Sequence, residues 1–256
     1  MKRVLTAFAL VPITVLLVVR APALAFTAAV ALVACLSYRE YENLVNRHGL
    51  RPPGPLGYGA GIVLLAVPGE TAALGTLLAL LALVAAMRER PLACALPRAS
   101  ALAFGLLWIF GAWRCGVALH ARDPYWLLFV LVLNWIGDTA AYYFGKALGR
   151  HKLAPEVSPA KSWEGAIASA VFALAAGWAY AHLVWPAIPA ATILLASAVC
   201  NLTGQLGDLA ESAVKRGAGV KDSGSVLPGH GGWLDRTDGL LFSMPAVYLL
   251  LDRLSP

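Results

Sequence analysis

Charge is what this chain has least of. Only 13% of its 256 residues are Asp, Glu, Lys or Arg, about half the share of an ordinary soluble domain. So small a polar supply cannot cover a water-facing surface, and burying a greasy core does not remove the need for a polar exterior. With 59% hydrophobic residues and a mean hydropathy of +0.71, the apolar side chains must face lipid. A soluble protein with an unusually large core is excluded on that ground.

Cysteine is also scarce. Cys35, Cys94, Cys115 and Cys200 are scattered, and all but Cys94 fall in apolar runs. Without a CxxC pair or a His/Cys cluster they read as small packing residues, which excludes a zinc site and a disulfide framework. The net charge of +6 is not gathered into a stripe, so no nucleic-acid partner is expected. No internal repeat, low-complexity tail or long polar stretch divides the chain. The expectation is one integral membrane domain over 1–256, with N-terminal membrane helices in 1–120 and the chemistry-bearing helices and loops in 121–256.

What is present is a series of apolar runs near the length that crosses a bilayer, about 20 residues. They cover 4–20, 22–38, 56–68, 71–87, 99–119, 124–145, 165–185, 187–207 and 238–254, the third being short and glycine-rich. This predicts an all-α, polytopic helix bundle of about nine transmembrane helices. Lys2 and Arg3 ahead of an apolar run, with Ala23-Leu24-Ala25 behind it, imitate a cleavable leader. Arg20 intervenes and the chain returns at once to apolar sequence, so a retained first span is expected. With a cytoplasmic N-terminus, all of the 20 Lys and Arg residues except Arg20, Arg114, Arg122 and Arg253 fall at inner ends and loops. That is the asymmetry the positive-inside rule requires.

Against this background a few polar stripes stand out. In NLTGQLGDLAESAVKRG, the side chains of Asn201, Gln205, Asp208, Ser212 and Lys215 follow steps of four, three, four and three, which places them on one helical face, with Glu211 beside it. The stripe is either the solvated end of a span or the lining of a wet cavity, and an Asp at the membrane boundary favours the cavity. In LNWIGDTAAYYFGK, Asn134, Asp138 and Tyr142 repeat at i, i+4, i+8. Asp138 is either a site residue or an acceptor between helices, and Gly145 and Gly149 suit close helix packing. Between these two helices, Ser158-Pro159 begins a turn, Ser162 is positioned as a helix N-cap, Trp163 as an interfacial anchor and Glu164 as a first-turn acid. Lys161 beside that helix start makes an anion site.

The last polar stretch, KDSGSVLPGHGGWLDRTD at 221–238, concentrates what the rest of the chain lacks. Asp235 and Asp238 are three apart ahead of the final apolar run. With Asp208 they form a set of hard oxygen ligands, which suits magnesium with substrate phosphates and water. Gly229, Gly231 and Gly232 around His230 supply backbone able to present N–H groups to anions. Lys215, Arg216, Lys221 and Arg236 are counter-charges for a polyphosphate. Each feature alone is ordinary for a solvated loop. Together, on one side of a membrane, they point to phosphoryl or nucleotidyl transfer.

The ordered run Gly207-Asp208-Leu209-Ala210-Glu211-Ser212, Lys215-Arg216, Lys221-Asp222, Pro228-Gly229-His230-Gly231-Gly232, Asp235-Arg236 and Asp238 resembles the signature of the phosphatidate cytidylyltransferases, or CDP-diacylglycerol synthases. Upstream, Asp138, Ala141, Tyr142, Gly145, Gly149 and the segment from Ser158-Pro159 to Trp163-Glu164-Gly165 are similar as well. The resemblance spans roughly 134–250; earlier, only Arg39-Glu40 looks alike. Ala160 stands where Gly or Lys is common, and Ser162 where Thr is usual, which keeps the hydroxyl.

The resemblance implies an all-α membrane homodimer in the cell inner membrane, with a polar funnel open to the cytoplasm. Its substrates would be CTP and phosphatidic acid, and its products CDP-diacylglycerol and pyrophosphate. It also implies Mg²⁺ with a second cation, K⁺ being the candidate. Asp208 and Asp235 would hold magnesium, with Asp238 in direct or indirect support. Lys215 would stabilise charge on the reacting phosphates. Lys161, Ser212, Arg216, Lys221, His230, Gly231, Gly232 and Arg236 would bind substrate. Asp138, Tyr142, Ser158, Glu164, Gln205, Glu211 and Asp222 would line or brace the site. The competing readings are a CTP-dependent enzyme acting on another lipid phosphate, such as an isoprenoid-ether type, and a transporter. The transporter would need midplane charges and an inverted repeat, and neither is present.

Overall fold

The computed structural model describes residues 2–67, 71–226 and 231–254. In chain order the elements are α1 (Lys2–Arg20), α2 (Ala23–Arg47), α3 (Pro55–Ala66), α4 (Thr71–Ala86), α5 (Ala95–Gly105), α6 (Ala112–Arg122), α7 (Pro124–Leu148), β1 (Lys152–Ala154), β2 (Ser158–Ser162), α8 (Trp163–Val184), α9 (Ala190–Gly217) and α10 (Leu234–Leu254). A π-helical stretch, Leu106–Gly111, joins α5 to α6, so that Leu92–Arg122 runs on as a single 31-residue helical segment.

Each apolar run predicted from the sequence has most of its described residues on a helix. Five of the described helical segments are long and apolar enough to cross a membrane: α2, Leu92–Arg122, α7, α8 and α9. Leu10–Arg20, α3 and Ala73–Ala86 are apolar but shorter. In α10, Asp235, Arg236 and Asp238 at the start and Asp252 and Arg253 at the end restrict the uncharged stretch to the middle. The helical membrane character is therefore plain, while a count of nine complete spans goes beyond helix length and composition.

One departure from an all-helical chain lies at 152–162. Ser158-Pro159, read from the sequence as a turn, instead begins β2. It pairs antiparallel with β1, with Lys152 opposite Ser162 and Ala154 opposite Ser158. A proline is tolerated here because a two-stranded ribbon is all edge. The Trp163 N–H donates to the His151 carbonyl at 2.9 Å, and the ribbon delivers the chain into α8. Ser162 caps that helix as its position suggested, accepting from the Gly165 N–H at 3.2 Å. Glu164 occupies the first turn.

The residues gather into two compact units, one of Met1–Leu10, Pro22–Val117 and Val214–Arg236, the other of Val11–Ala21, Ala118–Ala213 and Thr237–Pro256. The first has an aromatic core in which the Tyr38 ring stands 5.7 Å from Tyr41 and 5.2 Å from Phe110. There the Tyr41 hydroxyl donates to the Ala101 carbonyl at 2.6 Å. In the second, α7 and α8 pack at Gly145 and Gly165. A Cβ on Gly165 would lie 2.8 Å from the Ala141 carbonyl oxygen and 3.2 Å from the Gly145 Cα. The glycines of this stretch thus serve helix approach. Away from that crossing, Trp126 and Trp185 stack at 4.0 Å, and the Trp185 indole N–H donates to Asp123 at 2.9 Å.

Candidate active site

The polar stripe on α9 divides by role. Its first half is committed to packing within the second unit. The Asn201 amide donates to Ser169 Oγ at 2.7 Å, and Gln205 donates to Asn201 Oδ1 at 2.7 Å and to the Ala166 carbonyl at 3.3 Å. Asn134 on α7 behaves alike, donating to the Val130 carbonyl at 2.8 Å and to Ser243 Oγ at 3.0 Å. In a lipid setting these bonds satisfy amides that would otherwise be stranded. Gln205 is therefore a brace between helices.

One turn further along α9 the surroundings become ionic. Asp208 Oδ2 pairs with Lys161 Nζ at 2.7 Å, and both side chains are partly open, 37% and 25% exposed. The hairpin explains the approach, since β2 carries Lys161 just before the α8 cap. Ser212 Oγ donates to Asp208 Oδ1 at 3.4 Å. On α10, Asp238 lies within electrostatic reach of Asp208, Glu211 and Asp138, and its Oδ1 accepts from the Gly239 N–H at 2.7 Å. Helix approach makes this grouping possible: a Cβ on Gly207 would meet the Asp238 carbonyl oxygen at 2.7 Å. Glu211 is buried, and Asp138 stands at an exposed position on α7.

The first unit holds a second ionic group. Lys215 Nζ donates to Asp235 Oδ1 at 2.6 Å with both side chains nearly closed off, 9% and 6% exposed. Asp235 also accepts from the backbone N–H of Ser223, at 3.1 and 3.0 Å to its two oxygens, and of Gly232, at 2.7 Å. Burial alone would raise its pKa. The Lys215 ammonium and the Gly232 and Ser223 N–H groups outweigh that, and the carboxyl sits below its ordinary value. Gly231 has φ +80, a backbone conformation that favours glycine, and it delivers the Gly232 N–H to the carboxylate.

The remaining predicted residues separate by exposure. Arg216 is exposed and closes the end of α9 through a 3.1 Å bond to the Val220 carbonyl. Lys221, Asp222 and Arg236 are exposed and available to a solution ligand. Glu164 accepts from the His151 ring at 2.6 Å and from its backbone N–H at 3.2 Å, tying the start of α8 to the hairpin. Ser158 pairs with Ala154 in the ribbon. Tyr142 is 62% exposed and packs edge-on against Tyr143. His230, with Pro228 and Gly229, lies outside the described residues.

Sequence reasoning gave Glu40 no role beyond its resemblance. It is buried in the C-terminal half of α2, and its carboxylate binds Ser223, Trp233 and Leu234. The available signal was a carboxylate following an apolar run, in SYREYENL.

Among the described residues, no group of three or more His, Cys, Asp or Glu is arranged to hold a metal ion. The donor chemistry nevertheless fits a hard cation: around Asp238 the neighbouring charges are carboxylates, with no thiolate or imidazole among them. Lysine ammonium groups meet Asp208 and Asp235 in the structure.

Comparison with known proteins adds lineage. Residues 1–254 match the model of the Cytidylyltransferase family. A phosphatidate cytidylyltransferase of Bacillus subtilis is 46% identical over 142 residues, 54% of this chain and 53% of that protein. One from Brucella suis is 48% identical over 128 residues, 48% of this chain and 45% of the relative. One from Haemophilus influenzae is 42% identical over 146 residues, 54% and 50% of the two chains. The chain spans about half the length of the curated relatives it matches.

Proposed function

We propose that this chain, which belongs to the Cytidylyltransferase family, moves CMP from CTP to phosphatidate, giving CDP-diacylglycerol and pyrophosphate. The observation that carries this reading is Lys161 held on Asp208 at 2.7 Å, with Asp238 on the helix that packs against Gly207: carboxylates for a hard cation beside a base for the phosphates themselves. The relatives named phosphatidate cytidylyltransferase supply the substrate class.

In this reading a phosphate oxygen of the lipid attacks the α-phosphorus of CTP. The new P–O bond forms as the bond to the β-phosphate oxygen breaks, and pyrophosphate leaves with the electron pair. No strong general base is required, because phosphatidate is already an anion near neutral pH. Lys161 can exchange Asp208 for a phosphate oxygen, since the pair is partly open. The exposed Arg216, Lys221 and Arg236 receive the triphosphate and then the pyrophosphate. Lys215, closed against Asp235, keeps that carboxylate ionised and oriented. Asp208 and Asp238, both in the second unit, are the residues that would hold magnesium, while both oxygens of Asp235 are engaged by Lys215, Ser223 and Gly232. Bound there, the ion would neutralise phosphate oxygens and align the reactants.

The membrane setting suits these substrates. The acyl chains stay in lipid while the headgroup meets CTP from the aqueous side. The distribution of basic residues supports a cytoplasmic N-terminus and a cytoplasmic site, with nine spans in the cell inner membrane. Family resemblance supports a homodimer and a second cation such as K⁺.

The test is incubation of purified protein with labelled CTP, Mg²⁺ and, in separate arms, phosphatidate and an isoprenoid-ether phosphatidate. CDP-diacylglycerol from the first arm, lost with EDTA and restored by Mg²⁺, is the expected result. Product only in the second arm would move the enzyme to another lipid. No CDP-lipid in either arm would overturn the assignment.

A further inference from the structure

We propose that Glu40 is a positioning residue for cytidylyl transfer, holding from α2 the backbone frame that aims Asp235 and Lys215. This rests on the functional reading above and adds a residue to its machinery. Glu40 is 3% exposed. Among the described residues its carboxylate accepts three hydrogen bonds, from Ser223 Oγ at 2.9 Å, the Trp233 N–H at 3.0 Å and the Leu234 N–H at 2.8 Å. Leu234 is the first residue of α10. The first N–H groups of a helix have no partner within it, and a negative charge there also complements the helix dipole. A helix usually obtains such a cap from a residue next to its own start. In this protein it comes from a different helix, 194 positions away from Leu234 in the chain.

The local backbone is shaped around this carboxylate. A Cβ on Gly224 would run into the Glu40 carboxylate, and one on Gly232 into both that carboxylate and Ser223 Oγ, so a side chain at either position would displace Glu40 from its bonds. The same short segment serves Asp235. Ser223 gives its hydroxyl to Glu40 and its N–H to Asp235. Gly232, packed on Glu40, gives its N–H to Asp235 at 2.7 Å. Asp235 in turn receives Lys215. Two carboxylates thus share one backbone frame, and Glu40 sets its position. A buried charge is expensive unless its hydrogen bonds are all well made, and each of the three bonds to Glu40 comes from the segment that carries Asp235.

The test is Glu40→Gln in the full-length protein, purified in detergent. The amide keeps the shape but turns an NH₂ group toward donors that need an acceptor. Displacements on the order of 1 Å can cost about a hundredfold in rate. The expected result is a kcat drop of about that size per folded molecule, with KM for CTP and phosphatidate close to wild type and a lowered thermal midpoint, because the amide leaves a buried donor unpaired. A purely structural role predicts the lowered midpoint with kcat per folded molecule unchanged. That result would overturn the proposal, as would a raised KM with kcat preserved. If Glu40→Gln does not fold, Ser223→Ala removes only the hydroxyl. Its kcat should fall roughly fivefold, the equivalent of about one hydrogen bond, and wild-type kcat would overturn the proposal. A wild-type protein that makes no CDP-lipid would instead sink the functional reading.

Discussion

Two lysine–aspartate pairs of nearly equal length occupy contrasting surroundings. Lys161–Asp208, at 2.7 Å, is partly open to solvent, and the neighbouring Ser212 reaches Asp208 only at 3.4 Å. Lys215–Asp235, at 2.6 Å, is nearly closed and is supported by two backbone donors. Open pairs contribute about 0–1 kcal/mol because water competes for both partners. Removing one member of a closed pair costs about 3–5 kcal/mol, because it strands the other. Identical chemistry therefore gives one carboxylate that can change partners during a reaction and another that is fixed before the reaction begins.

The comparison is broken most directly at its closed member. Asp235→Asn should abolish turnover and also lower stability by about 3–5 kcal/mol, seen as a large drop in the thermal midpoint of the detergent-solubilised protein. If the midpoint is unchanged, the pair is not the structural element its burial implies. Asp208→Asn should lose turnover by about 10²–10³-fold, the range for removing one electrostatic group from a site, while the midpoint stays within about 1 kcal/mol of wild type. An equal loss of stability in both variants would erase the distinction. Lys161→Ala comes next. It should raise KM for CTP by about tenfold, roughly 1.4 kcal/mol of binding, with kcat much less affected.

The contrast also explains which parts of the molecule were legible in its sequence. The helices were, because an apolar run excluded from water has few other options. So was the Ser162 cap, whose signal and partner lie three residues apart, and the close approach of α7 and α8 at glycine. The acidic residues were found by type, but their division into open and closed was not. Asp235 looks like Asp208 until the Ser223 and Gly232 N–H groups are placed around it. Glu40 was hidden by distance, since its acceptor role depends on residues 183 to 194 positions away. The hairpin was hidden by brevity: strands of three and five residues show little alternation, and the proline suggested a turn. In α9, Asn201 and Gln205 share the helical face of Asp208, so periodicity alone gave them its chemistry although their bonds hold helices together.

The smallest expected effect is the sharpest probe of how open Asp208 is. Ser212 is 7% exposed, and its hydroxyl is the side-chain donor beside Lys161 on that carboxylate. At 3.4 Å the bond is long, beyond the usual range for an O–H donor to oxygen. Ser212→Ala should therefore lower kcat only about two- to threefold, below the roughly 1 kcal/mol of an average hydrogen bond, with KM and the thermal midpoint near wild type. A loss comparable to Asp208→Asn would mean that the hydroxyl moves in to fix the carboxylate when substrate binds. Both carboxylates would then be held rigidly at the moment of reaction.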